Sequence, residues 1–120
     1  MKNVVVEGCS LVADTGIGNI KIETDASKKV KVDQKGVYAG TLTISITGLS
    51  GTGFTNGSGT GTLTGTSVYN KVDGGAVVLE GDQSAQIPVN ATTTSSPASS
   101  IVVPTIVTIV SAGQTVVKAD

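Results

Sequence analysis

From Thr41 to Thr47 apolar and hydroxyl residues alternate without a break, with Leu42, Ile44 and Ile46 on one side and Thr41, Thr43, Ser45 and Thr47 on the other. A period of two belongs to a strand with one buried face, so this segment is the clearest strand in the chain. Shorter alternations place Ile20 and Ile22 between Asn19, Lys21 and Glu23, and Val30 and Val32 beside Lys29 and Lys31. Asp33-Gln34-Lys35-Gly36 then supplies turn residues, and Val37-Tyr38-Ala39 starts a return strand. Ser27 to Gly40 thus predicts a β-hairpin with a polar tip.

The remaining segments follow the same logic. Val4-Val5-Val6 and Leu11-Val12-Ala13 read as short strands around Gly8-Cys9, with a turn over Asp14 to Gly18. Ala76 to Glu80 is apolar enough for a central strand, Gly81-Asp82 breaks it, and Ser84 to Val89 resumes with Pro88 at an edge or strand end. Ile101 to Pro104, Thr105 to Val110 and, after a Ser111-Ala112-Gly113 turn, Gln114 to Lys118 complete the strands. This last third is the most hydrophobic. It is either the core or a docking base, for which Ile101, Val103, Ile106, Val107 and Ile109 are the candidate partner-binding residues.

Two stretches lack apolar periodicity. Gly48 to Gly65 reads as a loop around Asn56-Gly57 with a strand resuming near Gly61, although Gly-Thr alternation is itself a strand period where backbones approach closely. Residues 91–100, rich in Ser and Thr and holding Pro97, read as an exposed loop. No exact internal repeat is visible. A loose echo links Lys35-Gly36-Val37-Tyr38 with Asp73-Gly74-Gly75-Ala76-Val77.

Composition sharpens the class. With 120 residues the chain predicts a single domain, 1–120, able to bury a modest core without disulfides. The apolar residues are almost all Val, Ile, Leu and Ala, and β-branched side chains crowd a helix but fit a pleated sheet. The predicted fold class is all-β: a compact domain of many short strands, cone- or prism-like or a sandwich.

Charge and chemistry-bearing residues exclude more than they suggest. The net charge is −1, there is no Arg, and only two Tyr and one Phe are present, so neither the basic excess nor the stacking surface of a nucleic-acid binder exists. The alternating lysines read as the solvated side of a hairpin. The absence of His removes Ser–His–Asp triads, Cys–His pairs and Cys/His zinc sites. The single cysteine, Cys9, reads as a small buried residue, and no cofactor is predicted.

Paired carboxylates remain, Glu80 with Asp82 and Glu23 with Asp25, since residues two apart share a strand face. A glycosidase would also need stacking aromatics and a cleft, so these acids read as strand ends and turn caps. The chain is predicted not to be an enzyme. Gly51 to Gly57 imitates a phosphate loop but lacks a following helix. Calcium at Asp33, Asp73 or Asp82 finds no run of alternating acids to support it. The apolar run Val4 to Val6 is too short for a signal peptide, and no segment approaches the ~20 apolar residues of a membrane helix. These features predict cytoplasmic synthesis without a signal.

Ala26-Ser27-Lys28-Lys29-Val30-Lys31-Val32-Asp33-Gln34-Lys35-Gly36-Val37-Tyr38-Ala39-Gly40 resembles the recurring unit of PAAR and PAAR-like spike-tip proteins, and Val78-Leu79-Glu80-Gly81-Asp82 resembles their recurring Gly-Asp. The resemblance covers about a third of the chain. It implies a small cone that caps the trimeric spike of a type VI secretion system or phage-tail-like contractile injection machine. The implied partners are a trimeric spike protein and, transiently, a target membrane, with extracellular delivery in the assembled particle and any effector on a separate chain. The family commonly holds zinc through three His and one Cys; without His, the resemblance implies a metal-free variant. The alternative reading is a β-sandwich decoration, tail or adhesion module forming a homo-oligomer such as a homotrimer.

Overall fold

In a computed structural model the protein is all-β, and the structure describes residues 2–32, 34–72, 74–114 and 117–119. Its spine is a long hairpin of β6 (Thr41–Gly51) and β7 (Phe54–Thr64). Leu42, Ile44, Ile46, Leu49, Phe54 and Leu63 from these two strands are buried, while the flanking hydroxyls face out. The loop predicted around Asn56-Gly57 is therefore corrected to strand, since β7 already runs from Phe54 through the strand expected near Gly61, with the turn at Thr52-Gly53 and Gly53 at φ 84°.

The glycines of β7 explain that result. Ser58, Thr60 and Thr62 face solvent, and the inward positions between them are glycine. A Cβ on Gly61 would collide with Ile87, and one on Gly57 would come within 2.8 Å of Val89 Cγ1. The missing side chains leave room for bulkier ones from the next strand. A bulge on β6 at Gly48, φ 63°, shifts the pairing from Ile46 with Gly59 to Leu49 with Gly57, and a second on β7 at Asn56, φ 56°, shifts it from there to Gly51 with Phe54.

Around the hairpin lies an antiparallel sheet in the order β11-β10-β7-β6-β3, with β3 at Ile17–Ile22, β10 at Ile87–Thr93 and β11 at Ser100–Thr105. Pro104 sits on the edge strand β11, where a missing N–H costs no ladder bond, opposite Pro88 of β10. The segment predicted as an exposed loop is shorter than expected: Ala91 to Thr93 belong to β10, and Ala91 is buried.

A second layer, β12 (Val107–Ser111) paired with β2 (Ser10–Ala13), covers the open face of the sheet. One residue, Ile106, separates β11 from β12, and a turn at residues 14–16 joins β2 to β3. The two junctions meet. Asp14 N–H donates to the Ile106 carbonyl at 3.1 Å, and Ile106 N–H donates to Asp14 Oδ1 at 2.9 Å. The result is a flattened, open barrel of two unjoined sheets, whose core unites Leu42, Ile44, Ile87 and Val89 of the larger sheet with Val107 and Ile109 of β12.

Three two-stranded ribbons complete the chain: β4 (Lys31–Val32) with β5 (Lys35–Gly36), β8 (Lys71–Val72) with β9 (Gly75–Ala76), and β1 (Lys2–Asn3) with β13 (Lys118–Ala119). The molecule measures 51 × 23 × 23 Å. An eleven-residue strand accounts for about 36 Å of that length at about 3.3 Å per residue, so the ribbons form a body stacked on one end of the barrel.

Candidate functional site

The three ribbons are one motif used three times. In the first, Ser27 Oγ accepts the N–H of Val30 at 3.1 Å and Val37 N–H returns to the Val30 carbonyl at 3.1 Å. Forty residues on, Ser67 Oγ accepts Asn70 N–H at 3.2 Å and Val77 N–H donates to the Asn70 carbonyl at 3.0 Å. The third copy is assembled from the two ends of the chain. Gln114 Oε1 accepts Val117 N–H at 2.8 Å, and Val4 N–H donates to the Val117 carbonyl at 3.0 Å.

The copies bond to one another in a closed cycle. Tyr38 N–H donates to Val5 O (3.1 Å), Val78 N–H to Tyr38 O (3.0 Å) and Val5 N–H to Val78 O (2.9 Å). A second cycle runs outside it: Glu7 N–H to Gly36 O (3.0 Å), Gly40 N–H to Ala76 O (2.8 Å) and Glu80 N–H to Asn3 O (2.9 Å). The bridges Val6 with Val37, Ala39 with Val77 and Val4 with Leu79 repeat the same relation. These bonds define a pseudo-threefold ring in which each copy's edge is covered by the next.

Strand alternation then sorts the ring's side chains into two cores. Val5, Tyr38 and Val78 point to the barrel and join its core. Val4, Val6, Val37, Val77 and Leu79 point the other way and form a second cluster with Ala119. All three copies contribute to that cluster, which places it on the pseudo-threefold axis.

Beyond this cluster the ring is hollow. A pit of about 260 Å³ is lined by equivalent residues from each copy: Val4, Val37 and Val77; Val32, Val72 and Ala119; and Val30, Asn70 and Val117. Val30 and Val117 are 42% and 40% exposed, so the apolar wall reaches the surface. Each copy also carries one exposed lysine at the same position, Lys31, Lys71 and Lys118, and the last two line the pit. The charges cluster here by sequence, since residues 36–70 and 83–117 contain no Asp, Glu, Lys or Arg.

The sequence-predicted docking residues lie elsewhere. Val107 and Ile109 are fully buried in the barrel core, and Ile101 and Val103 pack half-buried against it. Ile106 is half-buried at the barrel junction. Inward-facing Val107 and Ile109 have no surface to offer, which corrects the expectation of a base at this segment. Val107 and Ile109 are spent on the chain's own interior, while Val102 and Val110 of the same segment stay exposed.

Two of the four candidate carboxylates, Glu80 and Asp82, anchor backbone. Glu80 Oε1 accepts Ala112 N–H at 3.0 Å, and buried Asp82 accepts Leu79 N–H at 2.8 Å together with the Thr66 hydroxyl. Glu23 accepts the Ser45 hydroxyl at 2.8 Å, and Asp25 lines an open polar groove with Ser27 and Lys28. Gly51 to Gly57 turns within the β6–β7 hairpin, so no helix N-terminus faces it. Asp33 and Asp73 lie outside the described residues.

The zinc that the spike-tip resemblance would imply has no ligand set here. The sequence lacks His, and no group of three His, Cys, Asp or Glu comes together among the described residues. Cys9 is half-buried beside the barrel core, and burial pushes its thiol pKa up, away from the thiolate a metal requires. Comparison with protein-family models, curated proteins and solved structures finds no match.

Proposed function

We propose that this chain is a PAAR-like tip that caps the trimeric spike of a contractile injection machine. The observation that carries this reading is the pseudo-threefold ring at one end of the molecule. A single chain that repeats one motif about an axis can meet three identical partner chains with three equivalent surfaces. An asymmetric chain would satisfy only one of them. The elongated barrel then points away from the spike, and its exposed strands offer mainly Ser, Thr and Gly rather than charge, which lowers the cost of brief passage through a bilayer.

In this role the protein works mechanically. Interlocked backbone hydrogen bonds and two apolar cores hold the tip rigid where other members of the resembled family use a metal. Synthesis in the cytoplasm and release within the assembled particle follow from the same reading. The test is the mass in solution of the purified chain, alone and mixed with a trimeric β-helical spike encoded beside it. A monomer alone and a complex of one chain with one spike trimer are expected. A stable homotrimer that ignores the spike would overturn the reading in favour of a decoration or adhesion module.

A further inference from the structure

The two layers of the barrel meet along two seams, and the chain seals only one of them. On one side of β12, residues 81–85 run as an extended segment from that layer into the line of β10. Ser84 N–H donates to Val107 O at 2.8 Å, Ile109 N–H to Asp82 O at 3.0 Å, and Ala85 N–H to Thr62 O of β7 at 3.0 Å. Backbone bridges the layers there. On the other side β2 and β3 follow each other in sequence but do not pair, and only the turn at residues 14–16 joins them.

Antiparallel alternation fixes which peptide groups line this second seam. Glu23 N–H donates to Thr43 O at 2.8 Å, and Lys21 lies opposite Ser45 two residues earlier, so both turn their peptide groups to β6. The alternate residues, Ile20 and Ile22, turn theirs outward along the free edge of β3. In β2, Val12 lies opposite Thr108 and Asp14 N–H reaches Ile106 O, which turns the peptide groups of Leu11 and Ala13 away from β12.

Between the two edges lies a cleft of about 300 Å³, lined by residues 11–13 and by Gly16, Ile17, Gly18 and Ile20, with no polar side chain in its wall. Leu11, Ala13 and Ile20 pack against the barrel core yet remain half-buried, and Ile17 is 86% exposed. The core is open to solvent along this line. The cleft is about twice the size of the ~150 Å³ cavity that holds benzene, so an aliphatic side chain fits it. A lipid chain would fill the cleft but leave the peptide groups of Ile20 and Ile22 without partners. The sealed seam shows what satisfies both needs, since there the occupant is extended backbone.

We propose that the open seam binds an extended segment of another protein chain, which adds antiparallel to the edge of β3. Residues of that segment opposite Ile20 and Ile22 exchange N–H···O=C bonds with them and turn aliphatic side chains into the cleft. A charged residue is excluded at those positions, because no polar side chain in the cleft would meet it. The ring takes no part, so the proposal stands apart from the capping reading.

The probe is a six-residue peptide of alternating Thr and Leu, blocked at both ends, added to the isotope-labelled chain at up to about 1 mM. Without peptide, the amide hydrogens of Ile20 and Ile22 are expected to exchange at least about 10-fold faster than those of Lys21 and Glu23. Peptide should slow them by about the same factor and shift the amide signals along residues 11–22. N-methylation of the peptide's Leu amides, whose N–H groups would face β3, should abolish binding. Val12→Asp with Ile17→Asp, both at exposed positions of the wall, should weaken binding about 10-fold or more without moving the urea midpoint.

Amides of Ile20 and Ile22 that are as protected as Lys21 in the free monomer, or a peptide that shifts no signal along residues 11–22, would overturn the proposal. A dimer of the chain alone that protects those two amides, and that dissociates in the Ile17→Asp variant, would overturn it in favour of a second copy as the occupant.

Discussion

The backbone N–H of Tyr38 donates to the carbonyl of Val5, and the same bond recurs from Val78 to Tyr38 and from Val5 to Val78. Each copy therefore holds the next, and the last holds the first. Equivalent positions should then carry equivalent energy. Val4, Val37 and Val77 occupy one such set and are 5%, 2% and 3% exposed. Val→Ala at each is expected to cost about 2 kcal/mol, within the range of buried methyl deletions. Urea denaturation of the three variants checks this, and costs that differ widely among them would refute the equivalence.

The turn caps of the ring are equivalent in role but not in chemistry. Ser27 and Ser67 each accept N–H groups of their own turn through one hydroxyl, Ser27 from both Lys29 and Val30. Gln114 does more: besides accepting Val117 N–H, its Nε2 donates to Val4 O at 2.7 Å and to Val117 O at 2.8 Å. It ties the two ends of the chain together. Gln114→Ala should therefore destabilise more than Ser27→Ala, about 2 against about 1 kcal/mol on the usual scale for such bonds. The comparison is a pair of thermal or urea melts, and an equal or reversed order would count against the clamp.

How much of this could be read from the sequence differs from segment to segment. Thr41 to Thr47 was legible because its inward residues are all large and its outward ones all hydroxyl. The second arm of that hairpin was not, because its inward residues are glycines whose partners, Ile87 and Val89, lie on a strand far along the chain. Burial by a neighbour's side chain leaves no mark on local hydropathy. The last third read correctly as apolar, but whether Val107 and Ile109 faced a core or a partner depended on β2 closing over the sheet.

The ring was half legible. Lys31-Val32 and Lys71-Val72 stand forty residues apart and each is followed by Asp, yet the echo seen from the turns alone falls out of register by two residues. The third copy was hidden for a topological reason. Its strands Lys118–Ala119 and Lys2–Asn3 come from opposite ends of the chain, and only the closed backbone cycle joins them. The site that depends on all three copies could not be assembled from any one stretch.

The glycine pattern of β7 gives a prediction that separates two kinds of crowding. A Cβ on Gly61 would meet the side chain of Ile87, whereas one on Gly65 would meet the carbonyl of Ala76. Side chains can be trimmed and backbone cannot. Gly61→Ala should cost about 1–3 kcal/mol by overpacking. Adding Ile87→Ala, which removes the γ and δ carbons that a Gly61 Cβ would meet, should then cost less than it does in the wild-type chain, giving a favourable coupling in the double-mutant cycle. Gly65→Ala should destabilise at least as much, and Ile87→Ala should add to it without coupling. Measured coupling at Gly65, or none at Gly61, would contradict the assigned contacts.

The barrel end of the ring also sets a pH dependence. Cys9 and Tyr38 both pack against the barrel core. Burial pushes the Cys9 thiol up, and Tyr38 is raised first by burial and then by the negative charges of Cys9, Glu7 and Asp25. In both, the folded chain keeps a proton that the unfolded chain releases at lower pH. The stabilisation is therefore complete below the ordinary thiol range and is lost as pH climbs through the raised folded values. The urea midpoint should begin to fall near pH ~8.5 and fall faster past ~10, the ordinary cysteine and tyrosine values. Cys9→Ala should remove the first part of the decline and Tyr38→Phe most of the second. A midpoint that stays level to high pH, or that falls unchanged in the double variant, would show that neither group is protected by the fold.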